Sequence, residues 1–344
     1  MGKTIFIIGI IIFLIVLTYT FVKIYIKMYM KYKINSLFEK YEMKCKKIFI
    51  PGPSLGLVLD AKIICNKLPL LDELLSNKNI IIENKLDKYR AEDIIFVNLD
   101  WTDFKNLKRD SAPKTILCKT KQSYEILKST FKNKNVIYTG FTSIDRFKTG
   151  YSIDYNKWIH VCGKSPYKGT IQLVKTWIKH PEFPFLTIKV YDSVYNEIQK
   201  IVKNKTISNL EINNNFITDE EIDILYNTYG VHICPSNQEG WGHYIAEAKA
   251  CRAVVLYTDA PCMNETFTDG YDGIAIRCNL NTNKKINEIC PFYELEEKDI
   301  ANAVKKTLNL TLQQKQDIGK NARNSFLEND TQFTKRLNDV IQNL

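Results

Sequence analysis

The stretch "VHICPSNQEGWGHYIAEAKAC", Val231–Cys251, decides the fold. Its apolar opening reads as a buried strand, its middle as a loop carrying Gly240 and Gly242, and its end as a helix. A strand that feeds directly into a helix is the unit of an α/β sheet, and open α/β sheets bind ligands outside the carboxyl ends of their strands. Asn237–Gly242 falls there. Two glutamates stand eight residues apart, Glu239 on the loop and Glu247 in the second turn of the helix, so both face one cleft. An ionised carboxylate only accepts hydrogen bonds and can take two at once, which suits vicinal hydroxyls such as those of a sugar or ribose. The helix start near Gly242 turns unpaired N–H groups toward the same place, and an anion is their natural partner. His243, at that start, reads either as a neutral imidazole bonded to the ligand or as a capping or packing group. Trp241 reads equally as a stacking platform or as a wedge. The helix itself reads as too polar to be buried.

Working outward, "WIHVC" is another strand, and the loop after it, "GKSPYKG", spans Gly163–Gly169 with Lys164 and Lys168. Two lysines and two helix N-termini meeting in one crevice would neutralise a diphosphate. The combined site suits a nucleotide diphosphate sugar. Before this region, "KIFI", "NIIIE", "DIIFVNL", "KTILCKT" and "NVIYTG" alternate with helical stretches such as "QSYEILKSTF". Unalternated apolar runs of that length suit strands covered on both faces, hence a parallel sheet with crossover helices. The polar segment Arg146–Lys157 interrupts the rhythm and marks a boundary. In "TDEEIDILYNTYG", Thr218 and Glu221 have capping-box spacing and Gly230 is placed to stop the helix. The chain therefore divides into a transmembrane anchor (1–22), a basic juxtamembrane linker (23–45), a Rossmann-like acceptor-side domain (46–150), a nucleotide-sugar-binding domain (151–330) and a C-terminal helix (331–344). Both domains are expected to be doubly wound α/β units facing a cleft.

The 344 residues are 45% hydrophobic and 25% charged, enough for two cores, and carry a net charge of +10. That balance favours anionic ligands or an anionic membrane surface. Nucleic acid is a poor fit, because the lysines are dispersed and no recognition motif occurs. Nine scattered cysteines with no CxxC pair suit a reduced, cytosol-facing chain. No Asp-x-Asp and no metal-spaced His/Cys/Asp cluster occurs, so the site is expected to work without metal or cofactor.

Ile5–Val22 is an uncharged, almost wholly apolar run of 18 residues. At about 1.5 Å per residue it is just long enough for a bilayer core. Lys3 precedes it, whereas Lys23, Lys27, Lys31, Lys33 and Lys40 follow, so the positive-inside rule puts the body on the cytoplasmic side of a single-pass membrane protein.

"GKSPYKG", "ILYNTYGVHICPSNQEGWGHYIAEAKAC" and "VVLYTDAPCMNE", in that order, resemble the nucleotide-binding domain of retaining family 4 (group 1) glycosyltransferases of the GT-B fold. "VIYTGFTSIDRF" resembles the end of that family's first domain, and the likeness runs from Val136 to about Arg323. It implies that Lys164 and Lys168 bind the donor diphosphate, that Glu239 contacts the transferred sugar and that Glu247 holds the ribose. Gly163, Gly240, Trp241, Gly242, His243 and Glu265 would complete the donor pocket. It further implies transfer from an NDP-sugar to a glycan, lipid-linked or protein acceptor. The family more often has Arg where Lys164 stands, and its first-domain histidine has no counterpart, since all four histidines lie beyond residue 159.

Other classes stay in view. A sugar-nucleotide epimerase or a catalytically silent binding protein would use the same donor pocket. "GPSLG", Gly52–Gly56, matches the G-x-S-x-G elbow of serine hydrolases around Ser54. The nearest histidine is over a hundred residues away, so the stretch reads better as a turn facing the interdomain cleft.

Overall fold

The computed structural model describes residues 2–40, 43–50, 54–75, 77–82, 89–102, 104–163, 165–203 and 206–344, with backbone only at 2–14, 30, 34, 37, 38, 40 and 55. It opens with one helix, α1 (Gly2–Lys40), which runs through most of the stretch read as a linker. Among the described residues no helix is long and apolar enough to cross a membrane. The side chains of Ile5–Leu14, more than half of the expected anchor, lie outside that description.

Branched apolar runs build the first sheet. β1 (Ile48–Phe49), α2 (Leu55–Lys67), α3 (Leu71–Leu74), β2 (Ile80–Ile82), β3 (Ile94–Val97), α4 (Phe104–Leu107), β4 (Thr115–Cys118), α5 (Lys121–Thr130) and β5 (Asn135–Tyr138) follow in chain order. The five strands are parallel and lie side by side in sequence order, so this sheet lacks the reversal expected of a doubly wound unit. Both faces are covered nonetheless, as continuous apolar strands require. Ile80, Ile82, Ile94, Phe96 and Leu117 pack against α2, while Ile95, Val97, Ile116 and Cys118 pack against Phe104 and Leu107 of α4 and Leu127 of α5.

The second unit runs β6 (Asp154–Gly163), α6 (Thr170–Lys179), β7 (Leu186–Val190), α7 (Asp192–Val202), β8 (Leu210–Asn213), α8 (Asp219–Thr228), β9 (Tyr229–Cys234), α9 (His243–Ala250), β10 (Val254–Thr258) and β11 (Ile274–Ile276). Its parallel order, β11-β10-β9-β6-β7-β8, reverses between β6 and β9. α8 carries the expected capping box, Thr218 Oγ1 accepting from Glu221 N at 3.2 Å and Glu221 Oε2 from Thr218 N at 2.7 Å. The helix ends at Thr228, however, and the chain passes at once into β9, so Gly230 is a strand residue rather than a helix stop.

A hairpin, β12 (Asn279–Lys285) and β13 (Pro291–Glu294), then reaches the first unit, where Cys290 joins the cluster of Val97 and Ile116. α10 (Glu297–Leu308) and α11 (Leu312–Gln342) finish the chain. α11 is one helix, so residues 331–344 are not a separate element. Its first half places Ile318 in the second core, and its second half places Phe333, Leu337 and Ile341 in the first.

The cysteines depart from the sequence reading at one point. Cys45 and Cys65 are joined with Cα atoms 5.8 Å apart, a spacing that suits a disulfide, while seven others are free thiols.

Candidate active site

The loops after β6 and β9 leave the sheet on either side of its reversal, the position at which open α/β sheets take ligands. Asn237 N donates to Tyr167 O at 2.8 Å and stitches the two loops together. Gly163 closes β6 with a φ of 67°, and Lys164 lies outside the described residues. Lys168 reaches Glu239, Nζ to Oε1 at 2.5 Å, and lies 3.8 Å above the Tyr244 ring. The same Glu239 oxygen accepts from Ser236 Oγ at 2.5 Å, so the glutamate is fixed by one cation and one hydroxyl. Lys168 and Glu239, 71 residues apart, thus meet.

α9 begins at His243 behind Gly242, whose φ of 87° a residue with a Cβ rarely adopts. Contrary to expectation this helix is buried: Tyr244, Ile245, Glu247, Ala248, Lys249 and Ala250 are all covered. Its polar groups are matched rather than solvated. Lys249 pairs with Asp272 at 2.9 Å, and Glu247 Oε2 with Arg146 Nε at 3.1 Å. Arg146 also donates to Asp223 at 2.7 Å. Glu247 Oε1 is buried and has no hydrogen-bond partner.

Across the cleft the first unit supplies a group that the sequence reading missed. Asp60 of α2, Asn98 after β3 and Lys119 after β4 form a buried cluster, with Lys119 Nζ bonded to Asp60 and, at 2.7 Å, to Asn98 Oδ1. His243 enters it from the second unit, its Nε2 2.9 Å from Asp60 Oδ1 and its Nδ1 2.9 Å from Ser143 Oγ. Burial works to raise the Asp60 carboxyl, yet Lys119 and then His243 overcome it and hold it below the ordinary carboxylate range. His243 is therefore engaged with the opposite domain. Trp241 is a wedge: it packs edge-on to Phe141 at 5.9 Å, and its Nε1 donates to Ser143 Oγ at 3.0 Å.

Gly240 lies against the first unit. A Cβ there would sit 2.5 Å from Asp100 Oδ1 and 2.8 Å from Asn98 Oδ1, so only glycine permits this approach. Glu265 bonds across to the first unit. Its carboxylate accepts from the backbone N–H of Lys121 at 2.6 Å and of Gln122 at 2.8 Å, at the N-terminus of α5 in the other unit. Gln238 donates to Gln122 Oε1 at 3.0 Å, and Asn287 of the hairpin donates to Leu99 O at 2.7 Å.

Gly52 lies outside the described residues. Ser54 precedes α2 as its exposed N-cap and Gly56 follows inside the helix, while His243, the histidine facing this unit, is bonded to Asp60 and Ser143. His160 and His232 are core residues, with burial pulling them down to about 4 and about 3. His160 is satisfied by Ile233 O at 2.7 Å and Thr170 Oγ1 at 2.9 Å, whereas His232 Nε2 has no partner. Among the described residues no group of three or more His, Cys, Asp or Glu is arranged to hold a metal.

Two parallel α/β units closing on a polar seam, with the basic and acidic loops at the switch point, define a GT-B-type architecture. The chain belongs to the glycosyl transferases group 1 family, which matches residues 141–325, more than half of it, and it is a glycosyltransferase. It is similar in fold to a glycosyltransferase from Rickettsia africae ESF-5, with TM-score 0.61 and 14% identity over 86% of this chain and 97% of that one. Sucrose-phosphate synthase from Thermosynechococcus elongatus gives TM-score 0.59 and 13% identity over 86% and 80%. HepE from Anabaena, in complex with UDP and glucose, gives 0.57 and 14% over 91% and 81%. No curated protein matches the chain in sequence at a significant level.

Proposed function

We propose that the protein transfers a sugar from an NDP-sugar to an acceptor hydroxyl, with retention at the anomeric carbon and without a metal. The observation that carries this reading is the Lys168–Glu239 pair beside the N-terminus of α9, with Glu247 Oε1 buried and without a hydrogen-bond partner. Glu247, already turned by Arg146, would accept a ribose hydroxyl on its other oxygen. Lys168 and the N–H groups at Gly242–His243 would stabilise the charge that develops on the diphosphate, the kind of electrostatic support that dominates such sites. Lys164 would add a second cation. Glu239 would orient the sugar. The bond from the anomeric carbon to the diphosphate oxygen breaks, a bond from that carbon to the acceptor oxygen forms on the same face, and the acceptor proton passes to the departing phosphate. The solved relatives holding UDP with a sugar make UDP-sugars the first donors to try.

The test incubates the full-length protein with UDP-, GDP- and ADP-sugars and follows nucleoside diphosphate release beside a Glu247→Ala variant. Release with one donor, lost in the variant, supports the reading. A thermal shift without release leaves the silent binding protein, and neither release nor a shift with any donor overturns the transferase reading. Transfer to an added acceptor, as opposed to isomerisation of the donor, separates it from an epimerase.

The Ile5–Val22 run within α1 supports a membrane anchor with a cytoplasmic body, toward a membrane-associated acceptor. The Cys45–Cys65 disulfide favours the opposite, oxidising side. Protease protection of the body in sealed vesicles decides between them.

A further inference from the structure

Lys168 and Glu239 reach the proposed donor site from two different loops, and one residue of α9 touches the groups that fix both. Gly242, at a φ of 87°, turns the chain back and brings position 244 over the end of β9. Tyr244 is 8% exposed there, its ring lying under Lys168 with Nζ 3.8 Å from the centroid. Its hydroxyl is 2.6 Å from Ser236 Oγ. Ser236 donates its one proton to Glu239 Oε1 at 2.5 Å, so Tyr244 is the donor to Ser236. Lys168 Nζ donates to that same Oε1, also at 2.5 Å. The bonds thus run one way, from tyrosine through serine and from lysine, onto a single carboxylate oxygen, and Oε2 is left for a sugar hydroxyl.

Burial, then Cys234 and then Glu239 push the Tyr244 hydroxyl above its ordinary range, so it keeps the proton that this chain of bonds uses. His160 packs edge-on to the ring at 6.4 Å, and burial keeps that histidine neutral. Asp100 faces the group from the first unit, its carboxyl pushed up to about 7 by burial and then by Glu239.

We infer that Tyr244 is a positioning residue for the transfer: its ring holds the Lys168 ammonium toward the donor diphosphate, and its hydroxyl, through Ser236, turns Glu239 toward the donor sugar. This rests on the transferase reading. An aromatic face attracts an ammonium without neutralising it, so a lysine held in this way still brings its full charge to a phosphate. A second carboxylate in that place would compete with the diphosphate. The two tasks belong to different atoms of one side chain, and substitution separates them. Phenylalanine keeps the ring and loses the hydroxyl, whereas leucine loses both.

The experiment uses the full-length protein with Tyr244→Phe, Tyr244→Leu and Ser236→Ala. It measures affinity for UDP, GDP and ADP by calorimetry, nucleoside diphosphate release from the donor that the wild-type protein turns over, and folding by Tm. Tyr244→Phe should keep the wild-type diphosphate affinity and donor KM while kcat falls about tenfold, the effect of losing one hydrogen bond in a charged network. Tyr244→Leu should in addition weaken diphosphate binding about tenfold. In a Lys168→Ala background Tyr244→Leu should cost no further diphosphate affinity, and Tyr244→Phe should lower kcat no further once Ser236 is alanine. A merely structural tyrosine would show neither the split nor this non-additivity. Equal loss of diphosphate affinity in the two tyrosine variants, a full further loss on top of Lys168→Ala, or wild-type kinetics in both overturns the inference while the transferase reading stands. If Tyr244→Leu does not fold, the Tyr244→Phe and Ser236→Ala pair decides, and additive kcat losses there overturn it. A wild-type protein that releases no diphosphate from any donor overturns both.

Discussion

The two sheets reach the same seam by different means. In the second, the strand order reverses between β6 and β9, and the polar groups hang from the two loops that leave the sheet on either side of that reversal. In the first, the order is sequential, no reversal opens a crevice, and the polar groups are the buried cluster of Asp60, Asn98 and Lys119 packed directly beneath the seam. One side offers loops that can close on a ligand. The other is a rigid charged floor whose pairing must be complete, because an unpaired charge in such a place is costly.

The comparison is tested most severely at Lys119. Lys119→Met removes the cation of a pair whose side chains are 1% and 3% exposed and leaves Asp60 with His243 and a long hydrogen bond from the Asn98 amide. Denaturant unfolding should show a loss of about 3–5 kcal/mol. On the loop side, Lys168→Ala should leave the fold in place while diphosphate release falls by about 10²–10³ in kcat, as when one transition-state donor is removed. A stability loss as large as that of Lys119→Met would erase the contrast between loop and floor. Glu265→Gln weakens the cap that the second unit places on α5. It should cost about 0.5–2 kcal/mol by thermal unfolding, with the domains more open by small-angle scattering.

The smallest effect separates two carboxylates of the first unit by sign. Asp60 is held below its ordinary value, so it contributes stability above its unfolded pKa that is lost as pH falls through the lower folded one. Asp100 is raised from 3.8 to about 7, so the folded state binds the extra proton between those values and stability declines as pH rises across them. Relative to wild type, Asp100→Asn should gain stability from pH 4 to pH 7 in parallel melts. A constant difference across that window would mean the Asp100 carboxyl is not raised.

The donor side was legible because Glu239, Glu247 and the α9 start lie in one continuous stretch, where spacing maps directly onto a strand, a loop and a helix. Lys168 was found by its place after a strand. The floor was not legible. Asp60, Asn98 and Lys119 come from three elements, and only the pairing of β3 with β4, Val97 opposite Cys118, brings Asn98 and Lys119 to one level. A signal existed in Asp60 itself, a lone carboxylate inside the apolar run Leu57–Cys65. The polarity of α9 misled for the related reason that its partners, Arg146 and Asp272, lie far along the chain on either side. Arg146 was read as part of a polar boundary segment, yet it is the residue that turns Glu247.

α11 has a consequence for synthesis. At about 1.5 Å per residue its 31 residues reach some 45 Å, and about 35 Å of that separates Ile318 in the second core from Ile341 in the first. Phe333, Leu337 and Ile341 cover α2 and the face of the sheet that is translated earliest, and they follow both sheets in the chain. The first sheet is made long before the helix that seals it, so a nascent chain holds its oldest sheet half bare until α11 is made.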